Sequence, residues 1–141
     1  MIILDTNVVS EFMPSPPASQ VLNWLNDRDV TSLYLTTITI AKIGCGLRAM
    51  PESKRRRLLS ERFEQFIDAA FTQRILSFDE SAARIYGEIM CQRKEIGRPM
   101  SNLDGQIAAV ARSRGLGVAT RNIKDFEHCQ IELINPFNGI D

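Results

Sequence analysis

Met1-Ile2-Ile3-Leu4-Asp5-Thr6-Asn7-Val8-Val9-Ser10-Glu11 is the stretch that decides the fold of this chain. Four consecutive apolar residues read as a strand buried on both faces, because a half-exposed strand would alternate apolar with polar side chains. The run stops at Asp5, and Val8-Val9 then begins a helical segment. Such a strand belongs in a parallel sheet covered by helices, where ligands bind in the crevice outside the carboxyl ends of the strands. Asp5 stands at one of those ends, where a buried strand has no structural need of an acid. The alternative is capping: Asp5, Thr6 or Asn7 accepts the first free N–H groups of the next helix.

A second acid lies in Ser101-Asn102-Leu103-Asp104-Gly105-Gln106-Ile107-Ala108-Ala109-Val110-Ala111. Ser101 or Asn102 is a good N-cap, which puts Asp104 in the first turn without requiring it to cap. Leu103, Ile107, Val110 and Ala111 follow helical spacing as the inward face, and Gly115 with Gly117 closes the segment before a strand at Val118-Ala119. The helix dipole favours a carboxylate in the first turn by about 0.3–1 kcal/mol, which is by itself a structural reason for Asp104.

The remaining segments supply layers and connections. Pro14-Ser15-Pro16-Pro17 makes a break before a helix over Ser19–Asn26, whose Val21, Leu22, Trp24 and Leu25 form an apolar face. Leu33-Tyr34-Leu35-Thr36 reads as a second strand and Ile75-Leu76 as a short extended piece. A long helix starts near Asp79 with Ala82, Ala83, Ile85, Tyr86, Ile89 and Met90 inward and Glu88 facing solvent, and Gly97-Arg98-Pro99 ends it. Lys54-Arg55-Arg56-Arg57 sits near the start of another amphipathic helix through Leu58, Leu59, Phe63, Phe66 and Ile67, and reads as a solvated face.

With 141 residues, 44% of them hydrophobic, and 17 basic against 17 acidic side chains, the chain is expected to be one domain over residues 1–141 with a real core. Neutrality means that any affinity for nucleic acid comes from local patches. No apolar run spans a bilayer, and a strand starting at Met1 leaves no room for a signal peptide, so a bacterial cytoplasmic location without membrane attachment is expected. Cys45, Cys91 and Cys129 lack metal-binding spacing and read as reduced thiols, the first two as core or near-core fillers. His128, the only histidine, has no cysteine pattern around it that would make a zinc site.

Five blocks, in order, carry a family resemblance: Ile2 through Glu11; Leu35-Thr36-Thr37-Ile38-Thr39-Ile40-Ala41; Asp104 through Ala109; Val118-Ala119-Thr120-Arg121-Asn122; and Asp125-Phe126 with Ile134-Asn135-Pro136-Phe137. Together they resemble the PIN-domain ribonuclease toxins of the VapC type, in the FitB-like branch, over essentially the whole chain. The resemblance implies an α/β/α three-layer sandwich with a central parallel sheet. It implies a type II toxin–antitoxin function, cleavage of RNA (transfer RNA foremost), and clustered carboxylates that hold Mg²⁺ or Mn²⁺. It also implies a homodimer, a cognate VapB-type antitoxin whose C-terminal segment wraps the toxin, and promoter DNA bound only through that antitoxin. Met13, Trp24 and Leu25 are candidates for a hydrophobic antitoxin groove, and core packing explains Trp24 equally well.

On that pattern the catalytic residues are Asp5, Asp104 and Asn122, with Asp5 and Asp104 as metal ligands. Mg²⁺ takes octahedral oxygen ligands at about 2.0–2.1 Å and keeps several waters, so few carboxylates anchor it. One position departs from the family: where these toxins carry a metal-site glutamate, this chain has Lys42. An ammonium about 4 Å from a carboxylate is attracted by roughly 4 kcal/mol at an effective dielectric of 20, and it repels a divalent cation. Lys42 therefore either pairs with Asp5 or Asp104, leaving the metal unbound, or swings into solvent. A lysine here marks either a natural decay or an introduced inactivating change. Asn122 stands where FitB-like proteins have a further acid, and Asp125 is either its substitute or a turn residue. Thr6, Asn7 and Thr120 are candidate supports, with the Thr6 hydroxyl aimed at a carboxylate and Asn7 organising the turn. Arg121 and Lys124 flank Asn122 and are candidate RNA contacts, while Arg112 and Arg114 read as solvated. The competing reading is a non-catalytic PIN module that sequesters an antitoxin.

Overall fold

The computed structural model describes residues 1–12 and 19–138, so Met13 and the Pro14-Ser15-Pro16-Pro17 break lie outside the described residues. Its strands are Ile2–Leu4 (β1), Leu33–Thr36 (β2), Ile75–Leu76 (β3), Gly117–Ala119 (β4) and Leu133–Ile134 (β5). They form one five-stranded sheet in the order β3-β2-β1-β4-β5, and every pairing is parallel. The chain builds outward from β1 to β3, then returns to the other side of β1 for β4. The reversal leaves a crevice between the ends of β1 and β4, which is where a doubly wound sheet holds its ligand.

The helices are Thr6–Ser10 (α1), Ser19–Asn26 (α2), Thr37–Ala49 (α3), Lys54–Ala70 (α4), Glu80–Glu95 (α5), Asn102–Arg114 (α6) and Ile123–Phe126 (α7). The pleat of the strands assigns them to two layers. Ile2, Leu4, Leu33, Leu35 and Ala119 pack in one cluster with Val21, Ile43, Leu59, Phe63 and Ile67, from α2, α3 and α4. Ile3 and Val118 face the other way, against Ala82 and Ile89 of α5, Ile107 and Val110 of α6, and Phe126 of α7. This is the three-layer α/β/α sandwich that the family resemblance implies, with β1 buried on both faces as its continuous apolar run indicates. Among the described residues no helix is long and apolar enough to cross a membrane.

Local chemistry fixes the helix ends. The side chains of Thr36, Ser53, Asp79 and Ser101 accept from the backbone N–H groups of Thr39, Arg56, Ala82 and Asp104 as N-caps of α3, α4, α5 and α6. Gly115, at φ +67°, closes α6 in the left-handed conformation. Gly105 has a different role: a Cβ there would collide with Met90 and press Tyr86 at 3.1 Å. Its absence lets α5 and α6 approach closely beside Asp104.

Several expected burials differ. Cys45 and Cys91 are exposed, and only Cys129 is buried. The inward stripe of α5 runs through Ala82, Ile89 and Arg93, so Cys91, two residues from Ile89, points about 200° away from it, and Ala83 is likewise exposed. Leu22, Leu58 and Leu103 sit at apolar spacing yet are 41%, 47% and 44% exposed, because periodicity gives a direction but not how far a neighbour covers it. Arg112 and Arg114 are not simply solvated: they pair with Glu88 and Asp79 at 3.2 Å each, tying α6 to α5 and its cap.

Arg93 is the buried charge that helical spacing did not reveal, at 4% exposed. Its Nε donates to the Arg98 carbonyl at 2.6 Å, and its Nη1 donates to the carbonyls of Asp125 and Glu127 at 3.0 and 2.9 Å. The guanidinium thus fastens the end of α5 to α7 and the residue that follows it. Arg93→Met fills much of the volume but strands three carbonyls, and is expected to lower unfolding free energy by about 2–4 kcal/mol in urea titrations. A loss below about 0.5 kcal/mol, the scale of an ordinary surface change, would contradict this role.

Candidate active site at the strand ends

Asp5 leaves the end of β1 with its carboxylate 4% exposed. Its Oδ1 accepts the Thr6 N–H at 2.8 Å, so the capping alternative is realised. Its Oδ2 accepts the Thr120 hydroxyl at 2.8 Å, from the end of β4, and the Asn7 side-chain amide at 3.5 Å. The Thr120 hydroxyl in turn accepts from Asn7 at 3.3 Å and from the Asn122 N–H at 3.0 Å, which uses its full capacity of one donor and two acceptors. Asn7 completes the bridge with its Oδ1, which accepts the Arg121 N–H at 3.1 Å. The two sides of the switch point are thereby laced together.

The Thr6 hydroxyl goes elsewhere than expected. It donates to Thr39 at 3.4 Å, not to a carboxylate, because the first turns of α1 and α3 meet there. Thr36 also reaches the Thr39 hydroxyl at 3.4 Å. This hydroxyl chain sets α3 against α1, and α3 carries Lys42 one turn further on. Lys42 does not swing into solvent: its Nζ lies 3.8 Å from Asp104 Oδ1, with the two side chains 30% and 18% exposed.

Asp5, Asp104, Lys42, Thr6, Asn7, Arg121, Asn122 and Asp125 all line one pocket of about 550 Å³, together with Ser10 and Glu11. Asn122 precedes α7 without capping it through its side chain, and Asp125 lies within α7, one residue before buried Phe126. Thr120 stands behind the lining, and Lys124 is exposed and outside it. Glu11 and Ser10 were not singled out from the sequence. Their signal was position alone, one helical turn beyond Asn7.

Burial pushes the Asp5 carboxyl above its ordinary 3.8, and the nearby Asp104 charge adds to the push. The hydrogen bonds from Thr120 and Thr6 and the Lys42 ammonium oppose it without overcoming it. The residues present do not fit a Mg²⁺ centre as they stand. Asp104 faces an ammonium, and among the described residues no group of three acids, histidines or cysteines is placed to hold a metal ion.

The PIN domain model matches residues 2–130 of this sequence. The chain belongs to the PIN domain family. It is 42% identical over 137 residues, 97% of this chain and 98% of the relative, to VapC ribonuclease Y4jK of Sinorhizobium fredii. It is 38% identical to Toxin FitB of Neisseria gonorrhoeae, over 98% of this chain and 99% of that one. Among solved structures it is similar to FitAB bound to the IR36 DNA fragment, with a TM-score of 0.90 and 38% identity over 97% of this chain and 96% of that chain.

Because the folded Asp5 holds its proton above the unfolded value, the native state binds more protons than the unfolded chain in that window. Stability from Asp5 is therefore fully present below 3.8 and is lost as pH rises through the folded value. The melting temperature of the chain relative to its Asp5→Asn variant should fall as pH rises from below 3.8, measured in chelator. A relative melting temperature that rises with pH would show the hydrogen bonds outweighing burial.

Proposed function

We propose that this chain is the toxin of a type II toxin–antitoxin pair and that the pocket at the ends of β1 and β4 is its endoribonuclease site. The observation that carries the reading is the convergence of Asp5 and Asp104 on one pocket at the switch point of a PIN sheet. Relatives named as a VapC ribonuclease and as a toxin, matched over nearly their full length, support it. In this reading residues 1–141 act as one unit in a bacterial cytoplasm, as a homodimer. A VapB-type antitoxin neutralises it, and promoter DNA is reached only through that antitoxin, in keeping with the relative solved as FitAB on DNA.

Each side chain has a task the geometry supports. Asp5 is fixed by Thr120, Asn7 and Thr6, so its carboxylate cannot rotate away from the crevice. Asp104 rises from the first turn of α6, where the helix dipole favours its charge. Arg121 stands at the rim as a phosphate contact. Mg²⁺ or Mn²⁺ supplies the nucleophile-activating chemistry in such a site when a third acid is present. Lys42 takes that acid's place here, and its ammonium faces Asp104. This same ion pair is the specific observation that favours the second reading, a non-catalytic PIN module that sequesters an antitoxin.

Parallel cleavage assays on transfer, ribosomal and messenger RNA separate the two. Lys42→Glu should cut RNA, transfer RNA first, in a chelator-sensitive manner. The unaltered chain should be slower by roughly a hundredfold or more. A Lys42→Glu protein that shifts its melting temperature with Mn²⁺ yet leaves all three RNAs intact would favour the sequestering module. One that neither cuts nor responds to the metal would end the nuclease reading.

A further inference from the structure

We propose that Phe137 is a positioning residue that holds Arg121 as a clamp for an RNA backbone phosphate at the rim of the acidic pocket. The inference rests on the ribonuclease reading above and adds a residue outside the pocket lining. Arg121 is fixed from three directions. Its N–H donates to Asn7 at 3.1 Å, its carbonyl accepts the Asn135 side-chain amide at 3.4 Å, and its guanidinium lies 3.8 Å from the centre of the Phe137 ring. The same Asn135 side chain accepts the Phe137 N–H at 2.9 Å, so one amide brackets both members of the stack. Phe137 itself packs against the core cluster beneath α2 and α4, which gives the ring a rigid base.

The stack covers one face of the guanidinium and leaves the side chain 55% exposed. Glu11 faces its Nη2 at 3.9 Å, an ion-pair distance beyond hydrogen-bond reach, so a phosphate exchanges a long ion pair for direct N–H donation. A planar fork with one face held by an aromatic ring offers parallel N–H donors to a phosphate and forfeits less rotamer entropy on binding than a free arginine. Lys124 has no such bracket and stands outside the pocket lining, so its charge contributes only diffusely.

The test is fluorescence anisotropy of a labelled single-stranded RNA of about twelve nucleotides against the unaltered chain, in chelator and over a series of salt concentrations. Arg121→Ala should weaken binding about tenfold and reduce the log–log salt slope by about 0.7. Phe137→Leu should weaken it about three- to fivefold, with no further loss when combined with Arg121→Ala, and Phe137→Tyr should restore it. Arg121→Lys keeps the charge but loses the plane, and should stay close to Arg121→Ala in affinity. Should Phe137→Leu fail to fold, Arg121→Lys decides alone: binding equal to the unaltered chain overturns the clamp. Equal losses from Phe137→Leu with and without Arg121 would also overturn it, reducing Phe137 to a packing residue while the ribonuclease reading stands. An unaltered chain that binds no RNA would overturn both.

Discussion

The hydrogen bond from the Thr120 hydroxyl to the buried Asp5 carboxylate is the constraint on which the site depends. It joins the ends of β1 and β4 across the one place in the sheet where the chain reverses direction. A carboxylate at 4% exposure is tolerable there only because its oxygens are met by Thr6, Thr120 and Asn7. Asn7 in turn spends its amide on Asp5 and Thr120 and its carbonyl on the Arg121 backbone. Position is therefore passed from the sheet, through one acid, to the arginine at the rim.

Fold and chemistry separate at Lys42. The residues that orient Asp5 lie on α1 and at the end of β4, whereas Lys42 enters from α3 and pairs with Asp104. A change of charge at position 42 thus leaves the lacing of the switch point intact. The sheet, the caps and the apolar layers do not require the acid that the family resemblance places there. An ion pair at 3.8 Å between partly buried groups offsets part of its own desolvation cost, and its ammonium repels a divalent cation that approaches the same oxygen.

Legibility in the sequence followed the range of the interaction. β2 spans Leu33–Thr36 and α2 spans Ser19–Asn26, as the local apolar runs indicated, and Ser101 caps α6 because a cap is a three-residue event. Asp5 and Asp104 were legible as strand-end and first-turn acids. The burial of Arg93 was not, since its partners are the carbonyls of residues 98, 125 and 127, and nothing in helical spacing encodes them. The Glu88–Arg112 pair, 24 residues apart, and the Phe137–Arg121 stack were hidden for the same reason. The exposure of Cys91, against its expected place in or near the core, is not legible from residue type, which does not say which side of α5 it faces.

The Arg93 anchor also ties one wall of the pocket to a buried charge on α5. A guanidinium left buried without its acceptors costs several kcal/mol, and two of its three acceptors are the carbonyls of Asp125, within α7, and Glu127, just after it. Displacing residues 125–127 therefore strips the end of α5 of its partners as well. Those residues are the same short segment that brings Asp125 to the pocket wall. Wall and anchor share one set of carbonyls, so neither can shift without the other.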